Sequence, residues 1–230
     1  MSRPVHDAAG AEAPRPRVGV LALQGDVARH EAALEALGVE AVRVVTAPDL
    51  EGLAALVLPG GESTTMLTLV ESGELREPLT RFLSAKPALG TCAGAILLGR
   101  EAGGLPSPAF EILDVAIERN AYGRQIDSFH AELDVPAVGG RFPGVFIRAP
   151  RMRDIGPGVE VIARLSNGGD GAGEPVGVRS GHTVALCFHP ELTADLRFYR
   201  WFLTEVAGLR LPAPETVTAD GETPRSRGAA

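Results

Sequence analysis

Short apolar runs alternate with amphipathic segments in the first half of the chain. The run Val18–Leu23 has few polar positions, which is typical of a strand buried on both faces of a parallel sheet. Asp26–Leu37 follows with apolar residues at helical spacing, and Gly38 supplies a stop signal. The same alternation predicts further strands at Ala41–Val45, Ala54–Leu58 and Pro87–Thr91, and helices at Ser63–Val70, Leu75–Leu83 and Ala93–Leu98. Such an order of elements predicts a three-layer α/β fold.

After residue 110 the pattern changes to mostly strand-like runs separated by turns. The predicted strands are Leu113–Glu118, Ala131–Val135, Val145–Arg148, Val159–Leu165 and Thr183–Phe188, and a last amphipathic helix covers Thr193–Val206. The glycine-rich segment Gly168–Gly173 predicts a hairpin tip. We therefore predict a mixed, mostly parallel central sheet with an antiparallel extension.

The two ends of the chain lack an apolar periodicity. Residues 1–16 predict a flexible extension and residues 211–230 a disordered, proline-rich tail, because neither segment offers an apolar face to bury. Residues 17–210 are expected to fold as one domain.

Composition narrows the classes of function. The 29 acidic and 22 basic residues give a net charge of -7, which disfavours a protein that coats nucleic acid. No apolar run approaches the ~20 residues that span a bilayer, and residues 1–16 show no signal-peptide pattern. Two cysteines, Cys92 and Cys187, are too few for a disulfide scaffold or a cysteine-based zinc site. We expect a cytoplasmic protein with no metal or cofactor and no nucleic-acid or membrane partner.

Cys92 lies between a predicted strand and a predicted helix, in the sequence Gly90-Thr91-Cys92-Ala93-Gly94. This is the thiol counterpart of the G-x-S-x-G nucleophile elbow. Glycines permit the tight turn, and the partial positive charge of a helix N-terminus favours the thiolate. The backbone N–H of Ala93 is then placed to bind an oxyanion. The alternative is a buried structural cysteine at a strand–helix junction.

A second candidate segment, His189-Pro190-Glu191, follows an apolar strand. Alternate residues of an extended segment project to the same side, so Glu191 can orient the imidazole of His189. A base oriented by an acid is the arrangement that activates a thiol nucleophile. Taken alone, the tripeptide reads more naturally as a surface turn, and its pairing with the cysteine elbow favours the catalytic interpretation.

A third segment, Pro59-Gly60-Gly61-Glu62-Ser63-Thr64, also joins a strand to a helix. Its glycines leave backbone N–H groups free to face a ligand or an anionic intermediate. Ser63 is a candidate cap for the helix that follows. The segment is not a phosphate-binding P-loop, because the lysine of that motif is missing. A glycine-rich turn without a ligand is the alternative.

These segments and their order resemble class I glutamine amidotransferases, and in particular the glutaminase subunits of pyridoxal 5′-phosphate synthases. The resemblance covers roughly residues 17–207. It is carried by six motifs: VLALQGD (Val20–Asp26), LPGGESTT (Leu58–Thr65), GTCAG (Gly90–Gly94), ERNAYGRQ (Glu118–Gln125), FIRAP (Phe146–Pro150) and FHPEL (Phe188–Leu192).

The resemblance implies hydrolysis of L-glutamine to L-glutamate and ammonia through a thioester, and it assigns residues to roles. The implied catalytic residues are Cys92, His189 and Glu191. The implied glutamine-binding residues are Gly61, Glu62, Ser63, Arg119, Ile147 and Arg148. Backbone N–H groups of Gly61 and Ala93 are candidates for the oxyanion hole, and Gln24 is a candidate to help form it and to sense docking.

The resemblance also implies a partner. Ammonia released into water at neutral pH is protonated and lost as a nucleophile, so such glutaminases work docked on a synthase. The implied partner is the barrel-fold subunit that makes pyridoxal 5′-phosphate in vitamin B6 biosynthesis, in a hetero-oligomer.

Three other interpretations stay open at this point. The chain could feed a different synthase, serve as a catalytically idle subunit, or hydrolyse another substrate with the same thiol. Among the remaining candidates, His30, His130 and His182 are interpreted as surface or packing residues, and Cys187 as a buried structural thiol.

Overall fold

The computed structural model describes residues 14–100, 103–119, 121, 128–166 and 173–212. Its strands are β1 (Arg17–Leu21), β2 (Glu40–Val44), β3 (Ala55–Leu58), β4 (Ala88–Thr91), β5 (Ala116–Glu118), β6 (Ser128–Val135), β7 (Gly140–Ile147), β8 (Arg151–Arg153), β9 (Glu160–Leu165), β10 (Pro175–Ser180) and β11 (Thr183–Leu186). Its helices are α1 (Val27–Glu35), α2 (Ser63–Ser72), α3 (Arg76–Ala85), α4 (Ala93–Leu98) and α5 (Arg197–Trp201), and α5 continues into a π-helical turn, Phe202–Val206.

Within the described residues a nine-stranded sheet forms the centre of the fold, in the order β2-β1-β3-β4-β11-β10-β9-β6-β7. The five strands from β2 to β11 are parallel to one another. The four strands from β10 to β7 continue the sheet in antiparallel pairs, and β5 pairs with β8 in a separate small sheet. The predicted α/β class, with a mixed sheet and an antiparallel extension, is confirmed.

The central strands β3, β4 and β11 are buried along their whole length. Such strands need cover on both faces, which explains why their sequences show no polar alternation. Helix α1 packs against β1 and β2, and α4 packs against β3, β4 and β11. Since neighbouring parallel strands share one carboxyl edge, the segments that follow β3, β4 and β11 come together there.

Several predicted boundaries differ from the structure. The strand predicted at Leu113–Glu118 is shorter, because the N–H groups of Leu113 and Val115 are used in loop hydrogen bonds to Leu98 and Leu113. The last helix begins at Arg197 rather than Thr193, because the Asp195 carboxylate accepts the Arg197 N–H and fixes the start.

Strands β8 and β10 were not predicted. The first is only three residues long and contains two arginines. The second begins with Pro175 and contains Gly177, two residues that usually indicate a turn. Pro175 is tolerated because it is the first residue of the strand.

The proposed domain limits stay predictions, because residues 1–13 and 213–230 lie outside the described part. At the C-terminal side Leu211 packs against the core, and Pro212 lies against Gly38. The predicted hairpin tip, apart from Gly173, is also outside the described residues, although β9 and β10, which flank it, do pair antiparallel. No helix in the described part of the chain has the length and apolar character needed to cross a bilayer.

Candidate active site

A cavity of about 270 Å³ opens at the carboxyl edge of β3, β4 and β11. Its lining brings together ten residues that the sequence nominated: Gln24, Gly61, Glu62, Ser63, Cys92, Arg119, Ile147, Arg148, His189 and Glu191. Ala93 does not line the cavity, but it begins α4 directly after Cys92. Five further residues complete the lining and were not predicted as site residues: Gly25, Asp26, Gly60, Ile96 and Leu192.

Cys92 forms a strained elbow between β4 and α4. Its backbone has φ +48° and ψ -102°, a conformation that residues with a Cβ rarely adopt. Its N–H donates to the carbonyl of Leu186 at 2.8 Å, which ties the elbow to the end of β11. Gly94 is required beside it, because a Cβ there would overlap the carbonyl of Leu58. The side chain is buried, and its Sγ lies 3.8 Å from the carbonyl oxygen of Ile147.

The strain at Cys92 leads to a stability prediction. Glycine relieves a positive φ, whereas alanine keeps the strain and removes only the sulfur. Cys92→Gly is therefore expected to be more stable than Cys92→Ala by about 1 kcal/mol, since strain relief of roughly 1–3 kcal/mol exceeds the entropic cost of glycine. Denaturant unfolding of the two variants measures the difference. A clearly more stable alanine variant would show that the elbow stores no such strain.

His189 and Glu191 form a buried pair beside the elbow. The backbone N–H of His189 donates to Val145 of β7, and a 3₁₀ turn at Pro190–Leu192 brings Glu191 back toward the ring. The Nδ1 atom of His189 lies 2.6 Å from Oε1 of Glu191. Gly60 leaves room for the imidazole, since a Cβ at that position would overlap Cε1.

Electrostatics keep this pair charged. Burial lowers the pKa of His189, but interactions with Cys92 and Glu191 outweigh burial and raise the pKa to about 10. Burial raises the pKa of Glu191, but His189 and His30 outweigh it and lower the pKa to about 2. The carboxylate therefore stays ionised and holds the Nδ1–H of the imidazole. Nε2 of His189 is buried and has no hydrogen-bond partner among the described residues, so it is free to exchange a proton.

His30 is a residue of this region that sequence reasoning missed. Its side chain is fully buried, which agrees with a packing residue and not with a surface one, and it lies 3.5 Å from Oε1 of Glu191. The available signal was its position on α1, where Val27, His30 and Leu34 recur at helical spacing on the inward face. A histidine in such a stripe needs buried polar partners.

The loop after β3 is held by Gln24. The Glu62 N–H donates to Oε1 of Gln24 at 2.5 Å, and a Cβ on Gly61 would overlap the same oxygen. Gly25 permits this approach, because a Cβ there would overlap the carbonyl of Gly60. The hydrogen bond to Gln24 therefore ties the loop after β3 to the loop after β1.

Glu62, not Ser63, caps α2. Its carboxylate accepts from the N–H groups of Thr65 at 2.7 Å and Thr64 at 3.3 Å. Burial opposes ionisation, but these hydrogen bonds lower the pKa of Glu62. Ser63 is instead the first residue of the helix and is buried. Serine, threonine, aspartate and asparagine are the usual caps at this position, but the longer side chain of glutamate also reaches the N–H groups of the first turn.

Arg119 supplies a fixed cation in the cavity wall. Its guanidinium donates to the Gly104 carbonyl at 2.9 Å and to Oγ1 of Thr64 at 3.1 Å, and it lies 3.5 Å from Oε1 of Glu62. Arg119 belongs to the ERNAYGRQ motif. Of the motif residues that follow it, 120–125, the structure describes only Ala121. Across the cavity Ile147 is partly exposed, and Arg148 has a positive φ of 42°.

The other candidate residues lie outside this arrangement. Cys187 is fully buried, and burial together with the nearby Cys92 and Glu174 raises the pKa of its thiol. His130 is exposed on β6, and Nε2 of His182 lies 3.4 Å from the carbonyl of Leu83. Over the residues that the structure describes, no cluster of His, Cys, Asp or Glu side chains is suited to hold a metal ion.

Solved structures share this architecture. One described as a crystal structure of glutamine amidotransferase is 47% identical, with a TM-score of 0.76, and the match covers 84% of this chain and 99% of that chain. A structure of PurLQS from Thermotoga maritima matches with a TM-score of 0.63 over 84% of this chain and 99% of that chain. At 18% identity the second likeness shows the fold alone.

Curated relatives are similar over most of their length. Pyridoxal 5′-phosphate synthase subunit PdxT of Thermus thermophilus is 52% identical over 195 residues, which are 84% of this chain and 98% of that protein. The protein of the same name from Geobacillus kaustophilus is 48% identical over 191 residues, 83% of this chain and 94% of that protein. A model of the SNO glutamine amidotransferase family matches residues 20–208. The chain therefore belongs to the SNO glutamine amidotransferase family.

Proposed function

We propose that this chain is the glutaminase subunit of a pyridoxal 5′-phosphate synthase and hydrolyses L-glutamine to L-glutamate and ammonia. The observation that carries the proposal is the strained Cys92 elbow beside a buried His189–Glu191 pair only 2.6 Å apart. A thiol, a base and an acid that orients the base are the parts that amide hydrolysis through a thioester requires. The similarity to curated PdxT subunits supports the choice of synthase.

The reaction follows from the positions of these groups. Nε2 of His189 first takes the thiol proton, which leaves an imidazolium beside the thiolate, and Cys92 Sγ then attacks the side-chain carbonyl carbon of glutamine. The tetrahedral intermediate then collapses as the imidazolium returns that proton to the departing nitrogen, so ammonia leaves and a thioester remains. Water, deprotonated by His189, attacks the thioester, and glutamate leaves as the thiol is restored. Glu191 stabilises the imidazolium in both halves, and Cys92 and Glu191 together raise the pKa of His189 to about 10.

The negative charge of the intermediate needs hydrogen-bond donors near the elbow. Ala93 is the first residue of α4, where backbone N–H groups have no intrahelical partner. Gly61 also lines the cavity, in a loop that Gln24 holds in place. We assign the N–H groups of Gly61 and Ala93 to the oxyanion hole, with Gln24 positioning the first of them. Each such donor is worth about 10²–10³ in rate.

Glutamine itself is a zwitterion and needs complementary charges. Arg119 offers a pre-positioned cation for the α-carboxylate, since two fixed oxygens already hold its guanidinium. Glu62 offers an anion in the same wall, and Ser63, Ile147 and Arg148 line the remainder. We propose that these residues bind the amino acid and present its side-chain amide to Cys92.

Gln24 provides a test of the oxyanion assignment. Gln24→Ala removes the acceptor of the Glu62 N–H and frees the loop that carries Gly61. The variant is expected to lower synthase-stimulated kcat by about tenfold or more, which corresponds to impaired use of one oxyanion donor. Steady-state glutaminase kinetics with the synthase subunit present measure the effect. Unchanged stimulated hydrolysis would remove Gln24 from the site.

The whole proposal is tested by following glutamate release from L-glutamine, with and without the synthase subunit from the same source. Release that depends on Cys92 supports the glutaminase assignment, and stimulation by that synthase subunit supports the partner. No release in either condition would overturn the assignment. If an acyl electrophile labels Cys92 and glutamine does not protect the thiol from labelling, the protein is a thiol hydrolase for another substrate.

A further inference from the structure

A buried chain of polar side chains continues from Glu191 away from the cavity. The hydroxyl of Tyr199, on α5, lies 2.6 Å from Nδ1 of His30, on α1. The other ring nitrogen of His30, Nε2, lies 3.5 Å from Oε1 of Glu191 and 3.5 Å from Oγ1 of Thr91. His30, Thr91 and Tyr199 are completely buried, and Glu191 is only 6% exposed.

Chemistry fixes the direction of these contacts. Burial, with Glu191 and Asp26 nearby, raises the pKa of Tyr199 well above its usual value, so the phenol keeps its proton. A buried phenol needs an acceptor, and Nδ1 of His30 lies at hydrogen-bond distance from it. When Nδ1 accepts, Nε2 carries the proton of the neutral ring and acts as a donor. The Nε2–H group therefore lies 3.5 Å from both Oε1 of Glu191 and Oγ1 of Thr91, and the charged carboxylate is the stronger acceptor of the two.

Glu191 is thereby placed between two imidazoles. His189 contacts Oε1 from the cavity side at 2.6 Å, and His30 contacts the same oxygen from the interior at 3.5 Å. The second oxygen, Oε2, is buried and has no hydrogen-bond partner among the described residues. At 3.5 Å the contact from His30 is long for a hydrogen bond, but the low dielectric of a buried site strengthens its attraction to the carboxylate.

We propose that His30 is a positioning residue of the catalytic machinery, which holds the Glu191 carboxylate in place through its Nε2–H while Tyr199 fixes the ring. The role rests on the proposed glutaminase function, because it acts through Glu191 and His189. His30 touches neither the substrate nor the thiol, and it is not among the residues that line the cavity.

Two substitutions of His30 separate positioning from packing. The amide of asparagine reaches roughly the place of Nδ1 and keeps a partner for Tyr199, whereas the amide of glutamine reaches the place of Nε2 and keeps a donor for Glu191. His30→Asn is expected to lower kcat by about tenfold or more, the range of a lost hydrogen bond to a charged group. His30→Gln is expected to recover most of that loss. The KM for glutamine should stay within about twofold in both, because binding groups are untouched.

His182→Asn is the matched control. It removes a ring nitrogen near the Leu83 carbonyl, in the turn before β11 and away from the cavity, and it is expected to leave kcat unchanged. All variants are assayed with the synthase subunit, and rates are divided by the number of active sites titrated with a thiol-directed inhibitor. Equal losses in His30→Asn and His30→Gln, or none in His30→Asn, would make His30 a packing residue and overturn the proposal.

A spectroscopic measurement that needs no substrate covers the case in which the glutaminase assignment is wrong, and Tyr199→Phe adds a variant in which His30 is intact. The proton between His189 and Glu191 should give a strongly downfield NMR signal in the full-length protein, without any substrate. We expect the signal to move in Tyr199→Phe and His30→Asn and to keep its position in His30→Gln. An unchanged signal in both of the first two variants contradicts the proposal. Inactivity of the wild type toward glutamine counts only against the proposed function.

Discussion

Cys92→Ala is expected to lower glutamine hydrolysis by at least about 10⁴-fold while leaving the fold intact. The variant removes the only sulfur that lines the cavity within the described residues, and a thioester cannot form without it. Alanine keeps the Cβ and the backbone conformation of Cys92 and removes only the sulfur, so the fold changes little. Glutamate release in the presence of the synthase subunit, together with thermal unfolding of the same sample, measures both effects.

Cys187→Ala is the matched control for this experiment. It removes the second thiol of the chain, which is buried two residues before His189 and has a raised pKa. Because its sulfur does not line the cavity, the variant should keep wild-type kcat within a few-fold and lose only stability, about 1 kcal/mol for a small core truncation. An acyl electrophile should label wild type and Cys187→Ala but not Cys92→Ala. Activity that survives Cys92→Ala would overturn the proposed chemistry.

The elements that carry the site could be predicted because each is local. Three buried strands are followed directly by Pro59–Thr64, by the cysteine elbow and by the His189 segment, and parallel strands bring such segments to one edge. The proline and glycine residues that define these turns are visible in the sequence. The pairing of motifs and the family resemblance, rather than topology, predicted that Cys92 lies near His189, because the sequence does not show that β11 runs parallel beside β4.

Contacts between distant segments could not be predicted in the same way. His30 and Tyr199 are 169 positions apart, and nothing local shows that α1 and α5 meet behind Glu191. The cap of α2 was assigned to Ser63 by residue preference, whereas the geometry of the loop selects Glu62. Strand β10 was missed because its neighbours in the sheet override the turn preference of Pro175 and Gly177.

Glu191→Gln is expected to lower kcat by about 10²–10⁴-fold without removing the nucleophile. The neutral amide no longer stabilises the imidazolium. Its NH₂ group can also donate to Nδ1 of His189, and the proton of the neutral ring then sits on Nε2, the nitrogen that must accept the thiol proton. Glu40→Gln, which removes an exposed carboxylate of β2, is the matched control and should keep wild-type kcat. Wild-type kcat in Glu191→Gln would exclude the carboxylate from the mechanism.

Glu191 also gives stability a defined dependence on pH. Its pKa is about 2 in the folded protein against an ordinary 4.5, so its stabilising contribution is complete above pH 4.5 and is lost as the pH falls toward 2. The shift corresponds to about 3 kcal/mol, an order-of-magnitude figure for a buried group. The free energy of unfolding of wild type should therefore exceed that of Glu191→Gln most at neutral pH, and the difference should shrink between pH 4.5 and pH 3. Denaturant unfolding over this pH range measures the difference. A difference that does not change with pH would mean that His189 and His30 do not lower the pKa of Glu191. The charged pair beside Cys92 would then not exist as described.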